Sequence, residues 1–320
     1  MSQDETHELE RMQDMTEERQ TSRRTYMARV GAMVGTAGLG TGALGSAAAH
    51  DDCQHRDDET RDETKNNGAE EKEPIGEDDK PDNVANGSEI SECTTITESG
   101  EYVLTGDIET PEGEGCIIIE ADDVTFDGGG NTISNGNPAV FIFGDNVRVQ
   151  NLTVADSRFG IIAIGVSDTC IADNTVTGTE IGSIQLIETN ESTVTRNTVS
   201  DGESGIALSE ASGNLVSENT ATNNGNGITL QFGSNDNEVT DNDASDNDGS
   251  GIFLLESDDN TISQNTANNN GEFGINLLDS DNNLVVENTV QGNGIADIND
   301  QGEGNTFEGN SGGPGVPVGS

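Results

Sequence analysis

GIALSEASGNLVSENTA (205–221), GITLQFGSNDNEVTDNDA (227–244), GIFLLESDDNTISQNTA (251–267) and GINLLDSDNNLVVENTV (274–290) are four consecutive copies of one template. Each opens on Gly-Ile-x-Leu and turns through a polar Ser/Asn/Asp corner. It continues with Asn-x-Val or Asn-x-Ile and closes on Asn-Thr-Ala, Asn-Thr-Val or a near variant. The repeat is about 23 residues long and runs from about 146 to 310, a period that decides the fold before any local propensity does. Within a copy Ile-x-Leu alternates with period two, the spacing of a strand rather than a helix. Gly, Asn, Asp and Ser every few residues keep the strands short.

Four apolar columns keep the period. The first is Ile161, Ile184, Ile206, Ile228, Ile252 and Ile275. The second is Ala163, Leu186, Leu208, Leu230, Leu254 and Leu277. The third runs Val149, Ile171, Val194, Val216, Val239, Ile262, Val285 and Phe307. The fourth runs Val154, Val176, Val199, Ala221, Ala244, Ala267 and Val290. One copy offers about five inward side chains, each contributing roughly 1.5–3 kcal/mol on burial. That falls short of the roughly 1–2 kcal/mol per residue lost as backbone entropy. A single copy therefore cannot fold, whereas stacked copies share one core and gain ladder hydrogen bonds. Two columns of asparagine, Asn214/237/260/283/305 and Asn174/197/219/242/265/288, fit such stacking. Amides about 4.8 Å apart form ladders, and Asn tolerates the left-handed corners of short turns. The expected fold is all-β, a right-handed parallel β-helix of about nine coils.

Outside the repeat the chain changes character. Residues 1–50 carry Arg23 and Arg24 ahead of a weakly apolar Gly/Ala stretch, the pattern of a twin-arginine export signal. Its Gly content and low hydrophobicity argue against a membrane span in the mature chain. Residues 51–88 are acidic and almost free of apolar side chains, as expected of a disordered tether. The β-helix is assigned to 89–310, with CTTITESGEYVLTGDI (93–108) and CIIIEADDVTFDGGGNTI (116–133) as its atypical first coils. Residues 311–320 read as a flexible tail.

The chain holds 13 Lys and Arg against 61 Asp and Glu, a formal net charge of −48. No Lys occurs after residue 80, and after residue 90 the basic residues are Arg148, Arg158 and Arg196. Nucleic-acid binding, which needs clustered cations to neutralise phosphates, is excluded. Such acidity keeps a surface hydrated and resembles proteins of extreme halophiles. Export permits disulfides. Cys93 and Cys116 lie one period apart and would come within bonding distance on adjacent coils. Cys170 reads as a small core or corner residue, and Cys53, in the tether, as a free thiol. Asn86, Asn151 and Asn190 stand in N-x-S/T sequons, glycosylation acceptors in an exported protein.

The first-coil sequences quoted above, with NVRVQNLTV (146–154) and the repeated GIxLxxSxxNxIxxNT, resemble the NosD-type parallel β-helix family of the pectin-lyase-like group. The resemblance covers about 89–310. It implies the β-helix fold and raises three functions. The first is copper handling. Copper sites want His, Cys or Met, yet every Met lies at or before Met33 and the histidines are His7, His50 and His55. The second is a polysaccharide lyase or glycoside hydrolase. Paired carboxylates about 5–9.5 Å apart serve glycoside hydrolysis, and Glu188, Glu210, Glu256 and Asp279 share one column with Phe232 between them. Phe232 is the candidate sugar platform, and the carboxylates equally suit Ca²⁺. For lyase chemistry the candidate base is Arg158, since Arg196 is flanked by Asp173 and Glu218. The third, and the reading preferred on sequence, is a secreted or cell-surface binding or structural module for a polysaccharide or cell-surface glycan. It asks for no catalytic set.

Overall fold

The computed structural model describes Cys53, residues 87–111 and residues 113–312. Every described residue belongs to one compact unit. The export signal with Arg23 and Arg24, nearly all of the 51–88 tether with Asn86, the three histidines, the five methionines and residues 313–320 lie outside the described residues.

The described residues form short strands, every pair of them parallel, stacked as three faces of a β-solenoid. Sheet 1 has ten strands and holds the Ile-x-Leu pairs; sheet 2 has eleven and holds the Asn-x-Val pairs. Sheet 3 has six strands, Ile108–Glu109 through Thr220–Thr222. Isolated bridges Thr220–Asp243, Asp243–Thr266 and Thr266–Thr289 continue it, followed by a two-stranded piece, Thr289–Val290 with Ser311–Gly312. The first strand is Ser88–Ile90.

Register matches the columns residue for residue. Ile161 pairs with Ile184, then Ile206, Ile228, Ile252 and Ile275 in succession, while Ala163 pairs with Leu186 and on to Leu277. In sheet 2 Val149 pairs with Ile171 and the column runs to Phe307. All four columns are buried in one core. A one-residue slip would turn every one of these side chains out to water, so the pattern itself fixes the register.

The asparagines do more than turn the chain. In sequence order, Nδ2 of Asn174, Asn197, Asn219, Asn242, Asn265 and Asn288 donates to Oδ1 of the ladder residue one coil on, ending at Asn310, at 2.9–3.0 Å. The same Oδ1 atoms accept the backbone N–H of the preceding ladder residue. A second ladder links the amides of Asn214, Asn237 and Asn260 and, further on, those of Asn283 and Asn305; between Asn260 and Asn283 the link is the Asn260 backbone N–H to Asn283 Oδ1, and Asn260 Nδ2 is buried with no partner. A third, through Asn224, Asn247, Asn270 and Asn293, is not among the columns read from sequence.

One expectation is corrected here. The left-handed backbone does not fall on the ladder asparagines. It falls on the residue before each: Asp173, Arg196, Glu218, Asp241, Gln264 and Glu287 in the first ladder, at φ 55–58°. The ladder Asn is held by its own hydrogen bonds, and the preceding residue turns the corner with its side chain in solvent. A left-handed turn costs a non-glycine residue roughly 1–2 kcal/mol, offset here by the amide network that each turn completes.

Candidate functional site

The column Glu188, Glu210, Phe232, Glu256 and Asp279 sits at the corner that ends sheet 1. All five residues have left-handed φ, 47–57°. Glu188, Glu210 and Asp279 are exposed, Phe232 and Glu256 half-buried. Consecutive members are joined through backbone bonds to the next coil, for example Glu188 N–H to Ser209 O at 2.9 Å and Phe232 N–H to Leu255 O at 3.0 Å. No sequence signal marks a phenylalanine for a left-handed corner, where a bulky residue is an outlier.

Beside this corner lies a feature that sequence reading missed. Side chains between the two inward columns of sheet 1 point outward, since successive residues of a strand alternate faces. Register puts Thr229, Phe253, Asn276 and Asn299 in one such outward column, and Gln231, Leu255 and Leu278 in the next. Phe253, Leu255 and Leu278 are half-buried. Together with Phe232 they make an apolar strip over three coils. Asn299 Nδ2 donates to Asn276 Oδ1 at 2.8 Å beside it. The outward positions of sheet 3 are by contrast mostly Thr and Ser, as in Thr175–Thr177 and Thr198–Ser200.

Arg158 stands elsewhere, on the rim of a cleft of about 700 Å³ lined by Glu109, Asn135, Asn137, Asp156 and Glu180 among others. Its guanidinium carbon lies 5.6 Å from the centroid of the Phe159 ring, and Phe159 is itself buried. Arg158 makes no ion pair among the described residues. Its N–H donates to Gly136 O at 2.9 Å and its carbonyl accepts from Ile181 N–H at 3.1 Å, so the backbone position is fixed. Asn137 Oδ1 is buried with no hydrogen-bond partner. Arg196, by contrast, makes a bidentate pair with Asp173, one of its two flanking carboxylates, at 3.0 and 3.1 Å.

The cysteines are all paired. Cys93 and Cys116 form a disulfide with Cα atoms 4.3 Å apart. Cys53 is bonded to Cys170 across 117 residues of sequence, with Cα atoms 6.1 Å apart. Neither the free Cys53 nor the core role of Cys170 holds. Cys170 opens a sheet 2 strand, next to inward Ile171, and so points outward, where a second thiol can reach it. Of the sequons, Asn151 donates Nδ2 to both Asp127 carboxylate oxygens, at 3.2 and 3.3 Å, while Asn190 Oδ1 accepts the N–H of Ser212 at 2.9 Å.

The donor set available for a metal is hard or absent. Among the described residues there is no His or Met, each cysteine sulfur is in a disulfide, and no three His, Cys, Asp or Glu gather as a metal cluster. These residues do not fit copper, which takes soft thiolate, thioether or imidazole ligands. Asp236 is the one described carboxyl held clearly above its ordinary range, by burial first and by neighbouring Asp259 second. No described helix is long and apolar enough to cross a membrane.

Comparison with known proteins places this architecture. Solved structures that resemble it include the periplasmic alginate epimerase AlgG, at 15% identity and TM-score 0.54, covering 67% of this chain and 70% of that one. The A-module of the Azotobacter vinelandii mannuronan C-5 epimerase AlgE6 matches at 14% identity and TM-score 0.53, covering 69% and 85%. The Dettilon tailspike protein matches at 15% identity and TM-score 0.58, covering 70% and 59%. At these identities the likeness is one of fold. No curated protein matches by sequence. The family model described as periplasmic copper-binding protein (NosD) matches residues 80–243 and 201–311. With more than half of its length matched and the stacked repeat underlying that match, the chain belongs to the NosD family.

Proposed function

We propose that this protein is an exported glycan-binding module that holds a polysaccharide across the outward strip of sheet 1 between Phe232 and Leu278. The observation that carries the reading is the strip of Phe232, Phe253, Leu255 and Leu278, half-buried on an outward face with the Asn276–Asn299 amide pair at its side. Aromatic and aliphatic surface covers the C–H faces of sugar rings, and a few placed amides orient the hydroxyls. A solenoid repeats such contacts at the coil spacing, which suits a polymer better than a small molecule. Several proteins of similar fold are named for polysaccharide chemistry, the alginate and mannuronan epimerases among them. Two disulfides fit an oxidising compartment outside the cytoplasm. The family name points to copper, but the described residues offer none of the soft ligands that copper requires.

The test is retention of the protein on a panel of immobilised polysaccharides at about 1 M salt, where the Debye length is about 3 Å and bulk charge repulsion is screened. The parent is retained on at least one polymer. Phe253→Ala with Leu255→Ser lowers that retention at least tenfold with an unchanged melting temperature. Equal retention of parent and variant would remove sheet 1 as the binding face. Release of oligosaccharide products in the same assay would move the protein to the enzyme reading.

A further inference from the structure

Two N-x-S/T sequons begin within the described residues, and the fold treats them differently. Asn151-Leu152-Thr153 turns the corner from sheet 2 to sheet 3, with Leu152 buried between two outward residues. Asn151 is exposed and takes the left-handed turn itself, at φ 52°. Thr153 opens the strand Thr153–Ala155, where Val154 faces the core, so the half-exposed Thr153 presents its hydroxyl on the outer side of sheet 3. Asp127 holds the Asn151 amide through solvent-exposed bonds of 3.2 and 3.3 Å, which water can replace. The residues after Asp127 on that coil are Gly128, Gly129 and Gly130, which put no further side chain beside it. In Asn190-Glu191-Ser192, by contrast, the exposed asparagine is followed by a serine that is only 1% exposed. The Ser192 Oγ donates to Asn190 O and accepts the Thr169 N–H, both at 2.9 Å. Its own N–H donates to Asn214 Oδ1 at 2.9 Å. Ser192 therefore heads the second amide ladder and cannot swing out while the coils stay stacked.

N-linked transfer asks for both ends of a sequon. The asparagine Nδ2 forms a bond to the anomeric carbon of a lipid-phosphate-linked oligosaccharide. The bond from that carbon to the phosphate oxygen breaks, its electron pair leaves with the phosphate, and one Nδ2 proton is released. The hydroxyl two residues on is what the transferring enzyme recognises, which is why the motif demands Ser or Thr there. A chain exported by the twin-arginine route meets that enzyme already folded. We infer that Asn151 is an N-glycosylation site of the folded protein and that Asn190, although exposed, is not. Asn151 and Thr153 are presented together on the outside, whereas the Ser192 hydroxyl is locked inside. A glycan on Asn151 stands at the corner between sheets 2 and 3 and leaves the outward strip of sheet 1 open. That the chain meets a transferase at all rests on the export reading above; the choice of Asn151 over Asn190 rests on geometry alone.

The experiment presents the purified, folded full chain to an N-oligosaccharyltransferase with a lipid-linked oligosaccharide donor. Arg148, Arg158 and Arg196 place Asn151 in the tryptic peptide Val149–Arg158 and Asn190 in Phe159–Arg196, so mass spectrometry after reduction reads each site separately. Asn151 is expected to be occupied at least tenfold more than Asn190. Thr153→Ala should abolish occupancy at Asn151. A Leu208→Asp, Leu230→Asp chain, whose core cannot hold two unpaired charges, supplies the unfolded comparison, with circular dichroism to verify the loss of structure. In that chain Asn190 occupancy should rise at least tenfold, because Ser192 is released. An unoccupied Asn151 in the folded chain, comparable occupancy of the two sites there, or an Asn190 that stays unmodified after unfolding would each overturn the assignment. Export plays no part in this assay, so a failure of the export reading would show separately, as chain retained inside a host that carries the twin-arginine route.

Discussion

Asn219→Ala probes the stacked amides directly. The Asn219 side chain makes four hydrogen bonds. Its Oδ1 accepts the backbone N–H of Asn197 at 2.9 Å and the Nδ2–H of Asn197 at 3.0 Å. Its Nδ2 donates to Val194 O at 2.8 Å and to Asn242 Oδ1 at 3.0 Å. After truncation Asn197 Nδ2 still reaches Ile171 O and Thr195 O, and Asn242 Oδ1 still accepts the backbone N–H of residue 219. The Asn197 backbone N–H is stranded in the interior. That orphan costs about 1–3 kcal/mol, and the other lost bonds add roughly 1 kcal/mol each before relaxation. The left-handed corner lies at Glu218, so alanine at 219 introduces no backbone strain of its own. The expected loss is about 2–5 kcal/mol, measured by urea denaturation followed by circular dichroism at fixed salt. Asn310→Ala supplies the comparison. Asn310 ends the same ladder and is itself half-exposed, so removing its amide opens the space beside Asn288 to water. Its truncation should cost about 1 kcal/mol or less. Equal losses at the two positions, or a loss at Asn219 below about 1 kcal/mol, would refute the view that the ladder acts as a buried, mutually satisfied network.

Two further outcomes follow from individual residues. Tryptic sites at Arg56, Arg61, Lys65 and Lys72 separate Cys53 from the solenoid; unreduced digests should carry the Cys53 peptide linked to the Cys170 peptide, and reductant should free it, whereas a Cys53 peptide alkylated without reductant would disprove the pairing. Asp236→Asn should raise the melting temperature at neutral pH. Burial and Asp259 hold the Asp236 carboxyl above its ordinary value of 3.8, so the native state binds that proton more tightly than the unfolded chain and ionisation is a penalty present above the folded pKa. The advantage of the variant should shrink as pH falls through that range towards 3.8, and a gain independent of pH would discount the carboxyl.

The columns were legible because stacking imposes one constraint on every coil. Ile228 and Leu230 must face inward for the same reason as Ile206 and Leu208, so a single period identified sheet, face and register together. The third amide ladder escaped because Asn224, Asn247, Asn270 and Asn293 stand among other Asn, Asp and Gly residues, where turn chemistry alone explains an asparagine. The outward strip escaped for a related reason. Phe253, Leu255 and Leu278 share no sequence position with Phe232 and become neighbours only when coils are laid in register. The cleft draws Glu109, Asn137, Arg158 and Glu180 from coils in and next to the irregular N-terminal region, where the repeat gives no guide. Cys53 lay too far from Cys170, in sequence and in composition, for any spacing rule to join them.

The Cys53–Cys170 bond also decides how the molecule would bear a load. Cys170 lies on the fifth of the eleven strands of sheet 2, counted from the Ser88 end. Tension arriving through the residues before Cys53 enters the solenoid at that strand and bypasses the first coils, which stay slack. Pulled there, a coil is held on both sides by neighbouring coils and resists as a group. Once the disulfide is reduced, the covalent path of the same tension enters the solenoid through Gly87 and the terminal strand Ser88–Ile90, where coils can be peeled off one after another. A protein held to a surface by its N-terminal segment would thus have two mechanical strengths, a high one when oxidised and a low one when reduced.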